Sequence, residues 1–151
     1  MLRRLLPLIA LCALLSLSNA AFARNCAVTI EATDMMTFNL KTIRVPGDCA
    51  QLRVVLKHVG RMPAQAMGHN WVLTETRHHR EVGLAGGRMK LADAYVPRSD
   101  ARVIAHTPVI GGGQTTEVVF PTSRLRKGGD YTFFCSFPGH WNMMKGVLVF
   151  E

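Results

Sequence analysis

Apolar and polar positions alternate with a period of two along most of this chain. From Cys26 to Ala32, Val28 and Ile30 fall on one face, with Ala27, Thr29 and Glu31 on the other. From Gln51 to His58, Leu52, Val54, Leu56 and His58 share a face, opposite Arg53, Val55 and Lys57. Successive side chains of a strand point to opposite sides, so each run predicts a strand with one buried face. Trp71-Val72-Leu73, Thr115 to Phe120, Tyr131 to Cys135 and Gly146 to Phe150 are further β-branched or aromatic runs. Pro46-Gly47-Asp48, Gly111-Gly112-Gly113 and Lys127-Gly128-Gly129-Asp130 break the chain between them. Many short strands separated by turn signals predict an all-β sandwich.

His78 to Leu91 (HHREVGLAGGRMKL) departs from this pattern. Its weak helical periodicity, interrupted by Gly86-Gly87, predicts one short helical excursion near residues 78–91. No repeat, low-complexity stretch or linker divides the chain. The triple glycine lacks the Gly-Lys-Ser/Thr ending of a phosphate loop and opens no helix, so it reads as a turn.

The first 23 residues form a separate unit. Arg3 and Arg4 precede an apolar run from Leu5 to Leu17, and Ala21-Phe22-Ala23 supplies a small-x-small cleavage pattern. This predicts a secretory signal peptide removed after Ala23. The run contains Pro7 and is short of the about 20 apolar residues that a spanning helix needs. Cys12 follows bulky Leu11, where a lipoprotein signal wants a small residue. Cleavage leaves 128 of the 151 residues, one domain by size and enough to bury a core. No second apolar run is long enough to anchor it in a membrane, and the expected location is the periplasm.

Losing Arg3 and Arg4 lowers the formal charge from +8 by two, to +6. The remaining bases, such as Arg53, Arg102 and Arg124, are scattered, with no basic run and no motif that reads nucleic acid. Positive charge at Arg61, Arg77, Arg80 and Arg88 favours a partner with an acidic surface through long-range steering.

Three cysteines remain after cleavage: Cys26, Cys49 and Cys135. An oxidising compartment favours one disulfide and leaves one thiol to be held by something else. Bridging Cys26 to Cys49 would close a loop of about 22 intervening residues, worth roughly 3 kcal/mol, and leave Cys135 odd. Cys135 opens the segment CSFPGHWNMM, residues 135–144, which also carries His140 and Met144. Pro138-Gly139 can fold this segment back so that its donors converge. A second histidine, His69, stands in Met67-Gly68-His69-Asn70, directly before the strand at Trp71.

A thiolate, two imidazoles and a thioether form a soft donor set that selects copper over magnesium or calcium. Two histidines and a cysteine with a weak axial methionine is the pattern of blue-copper electron-transfer sites. Structural zinc takes four cysteine or histidine ligands, and only three strong donors are found here. A Cys135–His140 nucleophile and base lacks an orienting acid or amide, and no paired carboxylates offer acid–base work, so the pattern is that of a carrier rather than an enzyme. His78 and His79 are adjacent and do not face one way on a helix. The alternative function is copper binding or delivery without redox shuttling, which generally relies on exposed methionine and histidine donors.

The blocks MGHNWVL (67–73), DARVIAHT (100–107) and YTFFCSFPGHWNMMKGVLVF (131–150) resemble the azurin family of small blue-copper proteins, the cupredoxins. The resemblance runs from Cys26 to the end of the chain. It implies a Greek-key β-sandwich of about eight strands, one copper ion per chain, and single-electron transfer between redox proteins. It implies copper ligation by His69, Cys135 and His140, with Met144 as axial thioether and the Gly68 carbonyl as a weak opposite contact. Met144 is chosen over Met143 because the family's axial methionine stands four residues after the second histidine. Cys26 and Cys49 match the family's disulfide. Asn70 and Phe137 match residues beside the copper, and His58 matches a partly buried histidine that titrates in some azurins. The implied docking patch surrounds the edge of His140 and includes Met36, Met62, Pro63, Met67, Phe137, Pro138 and Trp141. Implied partners are c-type cytochromes and a terminal reductase or oxidase, met transiently. The family usually has small residues after the second histidine, where this chain has Trp141 and Asn142.

Overall fold

The computed structural model describes residues 24–151, and the expected signal peptide, 1–23, lies outside the described residues. The chain runs β1 (Arg24–Thr33), β2 (Thr37–Phe38), β3 (Thr42–Val45), β4 (Cys49–His58), α1 (Ala64–Met67), β5 (Val72–Glu75), α2 (His79–Gly86), β6 (Val103–His106), β7 (Thr115–Pro121), β8 (Tyr131–Phe134) and β9 (Lys145–Phe150). One sheet has the order β2-β1-β4-β7, the other β3-β9-β8-β5-β6. β1 pairs with β4 in parallel, from Arg24 opposite Cys49 to Ala32 opposite His58. β3 and β9 are also parallel, and the remaining pairs are antiparallel. Parallel neighbours cannot be joined by a hairpin. The chain instead crosses to the second sheet between β2 and β3 and returns for β4, which gives the sandwich its Greek-key character.

The alternation in the sequence maps onto burial. Leu52, Val54, Leu56 and His58 are all buried on the inner face of β4. Opposite them Trp71, wholly buried, stacks between Phe120 and Phe133 at 6.2 and 6.1 Å. β8 loses the alternation because all four of its residues are buried. Phe133 faces the sandwich core. Phe134 faces outward into a smaller cluster with Val82 of α2, Val96 and Val103. The excursion built around α2 thus covers the outer face of the second sheet.

Nine strands are present among the described residues, against about eight expected. The count differs through β2, a two-residue ladder. β3 and β6 escape the pattern reading because each offers only four residues. The helical excursion extends slightly beyond 78–91, with single 3₁₀ turns at Thr76–His78 and Leu91–Asp93. Cys26 and Cys49 form a disulfide that joins the starts of β1 and β4, with Cα atoms 5.7 Å apart. Among the described residues no helix is long and apolar enough to cross a membrane.

Candidate metal centre

One end of the sandwich gathers the predicted donors from two segments. His69 lies between α1 and β5, pinned to Ile110 by reciprocal backbone hydrogen bonds of 3.0 and 2.9 Å. Cys135 is the first residue beyond β8, and the turn to β9 carries His140 and Met144. The turn is closed by its own backbone: His140 N–H donates to the Phe137 carbonyl at 2.9 Å, and Met144 N–H to the His140 carbonyl at 2.8 Å. Gly139 has φ +85°, a conformation that suits glycine. Cys135 N–H donates to the Met144 carbonyl at 3.0 Å, which sets the axial candidate beside the thiol.

His69 Nδ1 lies 3.7 Å and His140 Nδ1 3.6 Å from Cys135 Sγ. The three donor atoms all lie within 4.8 Å of one another, and all three residues are buried. His69 Nε2 donates to the Thr33 carbonyl at 2.8 Å. That bond requires the proton on Nε2 and leaves the Nδ1 lone pair aimed at the thiol, as a metal-binding histidine needs. The Gly68 carbonyl is 3.9 Å from the sulfur. A side chain at Gly68 would collide with Ala64 and Val109, so glycine lets this carbonyl sit where it does.

Burial dominates the electrostatics. It pushes the Cys135 thiol up to about 12, although the backbone amides of Asn70 and Phe137 favour the thiolate. Burial pulls His69 down to about 4 and also lowers His140. The pocket therefore presents neutral imidazoles and a thiol that ionises only when a cation takes the place of its proton. No carboxylate joins this cluster. Three converging soft donors with no hard oxygen acid among them fit a copper ion.

Asn70 connects the two donor-bearing segments. Its Oδ1 accepts from Ser136 N–H, and its Nδ2 donates to Ser136 Oγ and to the Ala94 carbonyl. His58 is fully buried rather than partly buried, and its ring stacks on His69 at 4.5 Å. Gly60 N–H donates to its Nδ1, and its Nε2 donates to the Met67 carbonyl. Asp34 lies 3.8 Å from the same Nε2. The amide of Arg61 holds the Asp34 carboxyl below its usual range.

The residues expected in the docking patch are distributed unevenly. Met62, Pro63 and Pro138 are exposed, Met36 and Met67 are half-buried, and Phe137 is buried against the His140 ring at 4.6 Å. Met36 packs against the main core. Its neighbour Met35 is 78% exposed and Met143 is 65% exposed, and neither was expected. Trp141 turns from His140 toward α2 and packs half-buried in the smaller cluster. Ser136, Thr33 and Ala94 also escape the sequence reading. Two of them act through backbone carbonyls, which no residue type signals.

Fold and donor set together define a cupredoxin, a small blue-copper protein. A family model described as copper binding proteins, plastocyanin/azurin family, matches residues 24–151. The chain is 52% identical over 126 residues to an azurin of Achromobacter denitrificans, covering 83% of this chain and 85% of that one. It is 49% identical over 123 residues to an azurin of Alcaligenes faecalis, covering 82% and 96%. Among solved structures it is similar to the azurin Az-iso2 of Methylomonas sp. strain J, with a TM-score of 0.81 and 44% identity, covering 83% of this chain and 98% of that one. The chain belongs to the plastocyanin/azurin family of copper-binding proteins, and its function is blue-copper electron transfer.

Proposed function

We propose that His69 Nδ1, His140 Nδ1 and Cys135 Sγ hold the copper, with the Met144 thioether and the Gly68 carbonyl as weaker contacts. The convergence of the three donor atoms within 4.8 Å carries this reading. When bound, copper supplies a one-electron Cu(I)/Cu(II) couple. The chain supplies a rigid, dry cradle. The Thr33 carbonyl orients His69, the Phe137 carbonyl and the turn fix His140, and Asn70 locks the segment behind Cys135. Donors held this firmly need little rearrangement as the charge of the site changes.

Electrons would cross at His140, and the exposed side chains of Met35, Met62, Pro138 and Met143 offer apolar surface suited to a brief encounter. The partners would be c-type cytochromes on one side and a terminal reductase or oxidase on the other. Residues 1–23 would direct export and be removed after Ala23, leaving the carrier in the periplasm.

The test is to express the full chain, purify the exported protein, strip it and add Cu(II). An intense blue thiolate-to-copper band that bleaches with a one-electron reductant and returns on oxidation is expected. Mass spectrometry should place the first residue at Arg24. A pale protein that binds copper stoichiometrically would remove Cys135 from the ligand set and favour copper delivery instead.

A further inference from the structure

Trp141 follows a proposed ligand directly, and its surroundings are specific. Its carbonyl accepts a 2.8 Å hydrogen bond from His79 Nε2, in the first turn of α2. The His79 ring meets the Trp141 ring edge-on at 5.5 Å and the Phe134 ring at 4.7 Å. One turn further along α2, Gly83 faces the indole: a Cβ there would lie 2.7 Å from Trp141 Cγ and 2.9 Å from its Cβ. Only a glycine at that position lets the indole lie against the helix. From Phe137 to Met143, the bond to His79 is the only hydrogen bond among the described residues that ties the turn to another element of the fold. The other bonds of this stretch run within the turn or to Cys135, Met144 and Lys145, at its two ends.

We propose that His79 is a positioning residue that braces the His140–Met144 turn on α2 through the Trp141 carbonyl, with Gly83 shaped to receive the indole. The site then has two outer supports, Asn70 behind Cys135 and His79 behind His140. This deepens the ligand assignment above and rests on it for its effect on copper. His79 is buried, and burial first, with Lys145 nearby, holds its ring below the ordinary histidine value. A neutral ring must then carry its proton on Nε2 to serve the carbonyl. The indole packed on Gly83 also gives a role to Trp141, where a small residue is usual after the second histidine.

The experiment compares the exported wild-type protein with His79→Ala, His79→Phe and His79→Gln. In the metal-free proteins, amide hydrogen exchange at Met143 and Met144 should quicken about fivefold in His79→Ala and His79→Phe. In the copper-loaded proteins, copper release should quicken about 10-fold in the same two variants, the low end of the loss for an outer hydrogen bond of a metal site. Their reduction potentials should move in step. Phenylalanine keeps the edge packing but cannot donate, whereas glutamine can donate to the same carbonyl, so His79→Gln should restore all three readouts. Unchanged exchange in His79→Ala and His79→Phe would overturn the brace. So would rescue by phenylalanine as good as by glutamine. Absence of a blue band in the wild type would instead overturn the ligand assignment, and the exchange readout would still test the brace.

Discussion

Asn70 and Ser136 hold each other twice: Ser136 N–H donates to Asn70 Oδ1 at 2.8 Å, and Asn70 Nδ2 donates back to Ser136 Oγ at 2.8 Å. Asn70 follows His69 and Ser136 follows Cys135, so this clasp ties the two ligand-bearing segments together. Asn70 Nδ2 also reaches the Ala94 carbonyl at 2.7 Å. Asn70→Leu would leave the Ser136 amide and the Ala94 carbonyl without these partners in a dry site. The expected loss is about 3 kcal/mol. Calorimetry of the metal-free protein should show Tm lower by about 10 °C. A shift lost in the scatter would mean that the clasp is replaceable by water.

Copper uptake should release one proton per ion between about pH 5 and pH 8. Burial sets Cys135 at about 12, so the thiol is protonated throughout that window and must lose its proton to bind. His69, at about 4, is already neutral and loses nothing. The apparent affinity should therefore rise about tenfold per pH unit. Proton release measured by calorimetry in buffers of different ionisation enthalpy checks the count. A value near zero would show that the thiolate exists before the metal arrives.

The metal-free protein should lose stability on mild acidification. His69 sits at about 4 in the folded protein against an ordinary 6.5. Between those values the unfolded chain binds more protons than the folded one, so stability rises with pH there. The contribution is present above about pH 6.5, falls as pH drops, and is gone below about pH 4, for a total of about 3 kcal/mol. Urea melts at pH 7, 5.5 and 4 measure it. His69→Gln should flatten that dependence, and a slope unchanged by the substitution would assign it elsewhere.

The strands and donors were legible where side chains carry the signal. Leu52, Val54, Leu56 and His58 share a buried face because the pleat imposes alternation on any half-buried strand. Cys135, His140 and Met144 stood out because an odd thiol beside donor side chains, in a chain expected to be exported, calls for a metal. β3 and β6 were not legible, since four residues cannot establish a period. The orientation of His69 by the Thr33 carbonyl was invisible, because every residue owns a carbonyl. Nor does sequence distinguish Met35, which points to solvent, from Met36, which packs inward.

The Cys26–Cys49 bridge acts far from the copper end, and its removal should separate stability from function. It closes a sequence separation of 23 residues between parallel neighbours β1 and β4. In the chain-entropy account this is worth roughly 3 kcal/mol. The double variant Cys26→Ala, Cys49→Ala should lose about that much in denaturant melts. Its blue band should be unchanged in position, because no donor or clasp residue lies on that end of the sheet. A displaced band would mean that strain from the bridge reaches the site.

Encounters with an acidic partner should slow as salt rises, and Arg61 should carry much of the effect. Of the four arginines expected to steer, Arg77 is paired with Glu75 at 2.7 Å. Arg61, Arg80 and Arg88 are exposed and make no ion pair among the described residues. Arg61 directly precedes exposed Met62 and Pro63, so its charge adjoins two residues of the proposed docking patch. Stopped-flow reduction by an acidic c-type cytochrome should slow about tenfold between low and physiological ionic strength. Arg61→Glu should slow it about fivefold at low salt and converge with wild type at high salt, where charges are screened. Arg53→Glu, with the same change of charge, is the control: Arg53 is already paired with Glu117 on the sheet formed by β2, β1, β4 and β7. Equal effects of the two substitutions would mean that net charge alone steers, without a preferred face, and no salt dependence at all would exclude an acidic partner surface.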